Sequence, residues 1–394
     1  MTPSFNISPP LEEDIARWQR QAVIASVVLS IISIIGAFFN PGDFFRSYLF
    51  GYLFWIGLGL GAMALLMLQY LTGGRWGVVT RRPLEAASRT LPWLALLFIP
   101  IAAGIPYLYH WAHRDLVVRD SILLHRSVYM NPVFFIVRAI VYFAIWICLT
   151  YFLNKWSRQE DSWGDQTTRL ARLSAPGLVL YVFTVTFSAI DWAESLEDHF
   201  FSTMWGFLFV ADQGITVLCF AILFSLVLTR WQPMADVLRA ARFHDLGKLL
   251  LVFVMLWAYF AFSQLLIIWS GNLSNEIPWF LPRIGTTWGW LGGALIVLQF
   301  IVPFLMLLSR PLKRNAWALS SVAILLLLMR FVDLFWIVMP STYRTGFHIS
   351  WLSFTVPIAL GAIWIALFLQ NLKRAPLLPL GAPELEEALA HAQH

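Results

Sequence analysis

Charge is scarce in this chain. Of 394 residues, 12% are Asp, Glu, Lys or Arg, about half the share of a soluble domain. Cysteine is nearly missing. Cys148 and Cys219 are the whole supply and both lie in apolar runs. That excludes a cysteine-ligated iron–sulfur cluster, a CxxCH haem attachment and a disulfide framework. The eight histidines (His110, His113, His125, His199, His244, His348, His391 and His394) fall at loops, span ends or the tail. No two face each other at matching depth, so no pair of b haems is expected, and no metal site either. A secretory signal is also lacking: MTPSFNISPPLEEDIARWQR is polar, acidic and proline-bearing, so the N-terminus is expected to be retained.

Apolar residues make up 59% of the chain, with 20 Trp and 32 Phe. They gather in ten runs near the 20 residues that cross a bilayer core: 22–40, 46–72, 90–110, 132–154, 173–192, 206–230, 248–270, 285–309, 316–339 and 350–372. The expectation is an all-α polytopic membrane protein with ten transmembrane helices in contact with lipid. An even number of spans puts both termini on one side. Of the 27 Lys and Arg, Arg138 and Arg330 fall inside spans. Six others (Arg46, Arg114, Arg119, Arg126, Arg283 and Arg344) lie on the side away from the termini, and the remaining 19 on the terminus side. The bias predicts cytoplasmic termini. It also explains the net charge of +5 without a nucleic-acid partner.

A repeat is visible. FFRSYLFGYLF (44–54) resembles FFSTMWGFLF (200–209), and the same offset of 155 carries RTLPWLALLF (89–98) onto HDLGKLLLVF (244–253). Four spans fit inside one offset, so the repeats keep one orientation. The predicted organisation is a cytoplasmic N-terminal segment (1–21), a first span and outer loop (22–45), a four-helix bundle (46–192), a second four-helix bundle (193–339), a last span (340–372) and a cytoplasmic tail (373–394). Gly57 and Gly61 in GLGLGAM lie inside a span and read as close helix packing rather than a phosphate loop.

Few ionisable residues sit at lipid depth, where a charge costs several kcal/mol or more. Arg330 and Asp333 lie one turn apart in LLLLMRFVDLFWIV. Arg138, Asp191, Asp212, Gln213 and Gln264 fall at similar depth. SAIDW (188–192) resembles RFVDLFW (330–336), so Asp191 and Asp333 are candidate repeat equivalents. One cluster is expected, with Arg138 and Arg330 as counter-charges to Asp191, Asp212 and Asp333. The plainer reading is an ion pair that only locks helices. Asp212 has no i,i+3 partner, and burial disfavours its charge, so it is the candidate proton carrier. On the terminus side His244, Asp245 and Lys248 could load a half-channel, or simply start a helix.

Three long stretches carry a family resemblance: LTGGRWGVVTRRPLEAASRTLPWLALLFIPI, the loop DWAESLEDHFFSTMWG, and HDLGKLLLVFVMLWAYFAFSQLLIIWSGNL followed by IPW. From about Arg46 through Trp351 the chain resembles the F-type, NrfD-like membrane subunit of bacterial alternative complex III, a quinol:electron-acceptor oxidoreductase. The resemblance implies two four-helix bundles with extra helices, in the bacterial inner membrane. It further implies oxidation of menaquinol or ubiquinol, a sister NrfD-like subunit, and iron–sulfur and haem c subunits that hold the redox centres. This chain would then bind quinone, conduct protons through Asp191, Asp212, Arg330, Asp333, His244, Asp245 and Lys248, or only anchor the complex. A standalone secondary transporter is the competing class, but repeats of like orientation count against it.

Overall fold

The computed structural model describes residues 7–164, 166–274 and 276–381. Its ten long helices match the ten apolar runs: α1 (Pro9–Phe39), α2 (Pro41–Thr72), α3 (Trp76–Ala103), α4 (Pro132–Ser162), α5 (Thr167–Leu196), α6 (Trp205–Leu228), α7 (Ala240–Gly271), α8 (Trp288–Leu308), α9 (Ala316–Ser341) and α10 (Leu352–Leu372). No strand occurs among the described residues. The chain is an all-α membrane protein with ten transmembrane helices.

Local chemistry sets the ends. Asn40, Asn131 and Asn315 each accept a backbone N–H in the first turn of the helix that follows, and Pro41 and Pro132 open two of those helices. Gly73 and Gly74, at φ 67° and 105°, turn the chain between α2 and α3, a conformation that costs glycine little. In α8 a π-helical turn over Ile296–Ile301 precedes Pro303, whose ring leaves the Gln299 carbonyl without its usual N–H.

Helix α2 is the axis of the molecule. It is apolar on every side and almost wholly buried. It packs on α3, α5, α6, α9 and α10. Helix α6 is the second pillar and packs on α2, α5, α7 and α9. Helices α2 to α5 touch one another on one flank and α6 to α9 on the other, while α1 lies on α10 at the edge. Gly61 makes the α2–α6 approach possible: a Cβ there would come within 2.6 Å of the Gln213 carbonyl oxygen. The outer faces of α1, α4 and α7 display Ile31, Phe38, Val133, Ile140, Tyr259 and Phe262, as lipid-facing surfaces do. The ends of the bundle near Pro9 and Leu372 are called proximal, the opposite ends distal.

The third span needs correction. It begins at Trp76, not near residue 90, and α4 continues past Asn154 to reach it. Arg81, Arg82 and Arg89, expected in a loop, are therefore packed into the proximal end of the bundle, Arg81 and Arg82 fully buried. Such burial is tolerable because each guanidinium meets a carboxylate or hydroxyl, as described below.

Candidate functional site

The charged sequence candidates at lipid depth form two polar sites, not one. The first joins α6 to α9. Arg330 sits one turn before Asp333 and bonds its carboxylate, while its Nη1 also lies 2.8 Å from Asp212 Oδ2. Asp212, Arg330 and Asp333 are all at most 5% exposed. Asp212 Oδ1 has no partner, and the Thr216 hydroxyl donates to the Asp212 backbone carbonyl rather than to the acid. The π-helical turn of α8 brings Gln299 to this group. With its amide nitrogen toward the Met329 carbonyl (3.2 Å), its oxygen accepts from Trp257 Nε1 on α7 (3.2 Å). Two carboxylates thus share one guanidinium in a site closed to water. Fully ionised, the trio carries an excess negative charge, which low-dielectric surroundings penalise heavily. One added proton removes that excess and gives Asp212 a donor of its own.

The second site joins α4 to α5 and is complete. Arg138 grips Asp191 through two bonds, Nε to Oδ2 at 2.8 Å and Nη2 to Oδ1 at 2.9 Å. Tyr142 donates to Asp191 Oδ2 at 2.8 Å, and Arg138 Nη1 donates to the Tyr129 carbonyl at 2.8 Å. The guanidinium also lies over the Tyr129 and Phe134 rings, at 3.8 and 4.5 Å. Charge is balanced one to one. Asp191 and Arg138 therefore do not join Asp212 and Arg330 in one cluster: neighbours on α4 and α5 already satisfy them. Asp191 and Asp333 remain alike in one respect, as each lies in the distal half of a span against an arginine.

The other sequence candidates are scattered. Gln264 pairs in height with Thr203, above Asp212, where it lines a distal crevice of about 60 Å³ with Ser202, Ile268 and Glu276. Gln213 accepts from the Tyr181 hydroxyl at 2.7 Å, tying α5 to α6. His244, Asp245 and Lys248 stand at the solvent-exposed start of α7, where Lys248 Nζ lies 3.1 Å from Asp245 Oδ1. Phe253 packs at the Gly214 level, and Asp212 stands two residues further out on α6, so it lies about 15 Å beyond Asp245 along α7 at 1.5 Å per residue. The intervening residues, LLLVF, are apolar. No bond among the described residues links this trio to Asp212.

Two networks escaped sequence reading. At the proximal end, Glu85 accepts from Arg81, Arg82 and Ser157; Arg81 also pairs with Glu160, and Arg82 with Asp161. Arg89 Nε donates to Asn154 (2.8 Å) and Leu380 N to Asp161 (2.9 Å), so the segment after α10 closes over the group. The i,i+3 and i,i+4 spacing of Arg81, Arg82, Glu85 and Arg89 was the available signal. Distally, Glu197 pairs with Arg283 at 3.2 Å and Arg344 at 2.6 Å. Burial pushes the Glu197 carboxyl up and the Arg283 guanidinium down to about 10, while their mutual attraction opposes both shifts. These residues come from three separate loops, so spacing carried no hint of them.

The larger crevice, about 170 Å³, is apolar and half open between α5 and α7, with Gly61, Tyr181, Gly214 and Phe253 in its walls. It is smaller than the ~300 Å³ of typical small-molecule pockets. No protein-family model matches the chain, and no curated protein matches it. What places it is the geometry alone: a ten-helix membrane protein with one charge-unbalanced acidic pair at its centre.

Proposed function

We propose that this chain is an integral subunit of a quinol:acceptor oxidoreductase of the alternative complex III type, seated in the bacterial inner membrane with both termini cytoplasmic. It brings no redox centre. Electrons pass through iron–sulfur and haem c groups of partner subunits, and menaquinol or ubiquinol is oxidised mainly at the sister NrfD-like subunit. Its own contribution is a proton-exchanging carboxylate at membrane depth. The observation that carries this reading is the Asp212–Arg330–Asp333 trio, two buried acids on one guanidinium with Asp212 Oδ1 left without a donor. A group of that kind binds one proton and releases it when its surroundings shift by a few kcal/mol. The small crevices of the chain suit a quinone only at a boundary shared with a partner.

Asp212→Asn and Asp333→Asn in the intact complex test it. The expected result is quinol oxidation that continues while protons released per electron fall, most in Asp212→Asn. Unchanged oxidation and unchanged proton release in both variants would leave the chain an anchor. The anchor reading has its own support in the Arg81–Arg82–Glu85–Glu160–Asp161 network, in which every charged group has an opposite partner and which binds α3, α4 and the segment after α10 together.

A further inference from the structure

Histidine pairs of an unexpected kind occur at the distal face. Sequence reading left His110 and His199 in solvated loops. The structure sets His110 Nδ1 2.9 Å from Asp198 Oδ2, and His199 Nε2 2.6 Å from Asp120 Oδ2. The pairing is reciprocal: the α3–α4 connection supplies His110 and Asp120, and the α5–α6 connection supplies the neighbours Asp198 and His199. Arg126 grips the same stretch by donating to the carbonyls of Asp198 (2.8 Å), Phe200 (3.3 Å) and His199 (3.3 Å). Each histidine side chain is 40–50% exposed, so protons reach it from solvent.

We propose that residues 104–131 and 193–204 form a pH-dependent latch over the distal end of the bundle, closed by these two reciprocal histidine–aspartate pairs. The latch stands whether or not the chain moves protons. On its buried side the latch carries Glu194, 6% exposed with Oε2 unpartnered, and the Tyr109 hydroxyl bonded to the Trp192 carbonyl at 2.9 Å next to Asp191. Opening the latch admits water to these groups.

The sign follows from the partners. The bond to Asp198 raises the His110 imidazole above its ordinary range; Glu197 adds to this, while Arg344 and burial oppose it. A raised histidine stabilises the closed form below about pH 6.5, and this contribution disappears as pH climbs through the raised value. The bond from His199, helped by the Ile122 and Leu123 amides, holds Asp120 below the usual carboxylate range. That contribution is present above about pH 4 and is lost only in stronger acid. Among the described residues no other ionic group is paired with His199 or Asp120. The latch is therefore tightest in mild acid and loosens above neutrality.

Hydrogen–deuterium exchange of the full-length protein in nanodiscs tests this, at about pH 5.5 and about pH 8, on either side of the histidine range, with intrinsic rates corrected. Amides in 114–126 and 194–204 should lose protection about two- to fivefold at the higher pH, an effect sized for one exposed pair. The histidine-free connection between α7 and α8 should not change. In the double variant His110→Gln, His199→Gln the pH dependence should vanish, as it should in His110→Gln alone, while His199→Gln should keep it. Equal protection at both pH values in the unaltered protein overturns the latch. So does a loss shared by the α7–α8 connection, or a pH dependence that persists in the double variant.

Discussion

The two buried arginine sites make an instructive pair. Arg138 and Arg330 both sit in the distal half of a span and both hold an aspartate. Around Arg138 every polar atom of the pair has a partner: Asp191 takes two guanidinium bonds and a tyrosine hydroxyl, and Tyr129 accepts the remaining nitrogen. Around Arg330 two acids compete for one guanidinium nitrogen and Asp212 Oδ1 goes without. The first arrangement has one sensible protonation state and acts as a fastener. The second leaves one acid without a donor, which is the condition the proposed proton carrier needs. A buried charge is thus not itself a sign of activity; what matters is whether its surroundings complete it.

Breaking the fastener should produce the largest effect. Arg138→Met strands Asp191 in an apolar site, and the expected loss is about 3–5 kcal/mol, seen as a lower Tm in mild detergent and poor accumulation in the membrane. Asp191→Asn should also lower Tm, because it discards a two-bond ion pair. Next comes the packing between the two pillars: Gly61→Ala drives a Cβ to 2.6 Å from the Gln213 carbonyl and should cost about 1–3 kcal/mol. Asp212→Asn separates the two sites most sharply. It restores a one-to-one charge balance at Arg330, so stability should stay within about 1 kcal/mol of the parent or rise, while proton release falls. If instead it destabilises as much as Asp191→Asn, the trio is a second fastener and the contrast collapses. The smallest effect is expected at the exposed Lys248–Asp245 pair: Lys248→Ala should change stability by about 0.2–1 kcal/mol and leave proton release untouched, since apolar residues separate it from Asp212. A clear loss of proton release there would revive a proximal entry through α7.

The same contrast explains what was readable beforehand. Arg330 and Asp333 could be paired from sequence because they share one helix face. Asp212 could be marked as unusual because it lacked such a neighbour. That Asp212 joins Arg330 while Asp191 joins Arg138 depends on which helices meet, and depth along each span could not decide it. Gln264 shows the same gap. It was placed at the level of Asp212, but α7 runs further out than α6, so the side chain stands opposite Thr203 at the mouth. Gln299 carried no signal, because only the π-helical turn before Pro303 turns it toward Trp257 and Met329. Arg81, Arg82 and Glu85 were misread as loop charges because hydropathy ends a span where charges begin, and it cannot see that Glu160 and Asp161 arrive on another helix to neutralise them.

Sequence alone determined that this chain crosses a membrane ten times, and roughly where, because a bilayer demands long apolar helices and nothing in 59% apolar composition could hide them. It also determined which residues would be costly to bury. Tertiary structure alone decided which of those costs are cancelled. Pairing between charges acts over a few ångströms, and residues as far apart as Asp212 and Arg330 reach that distance only once α6 and α9 have packed.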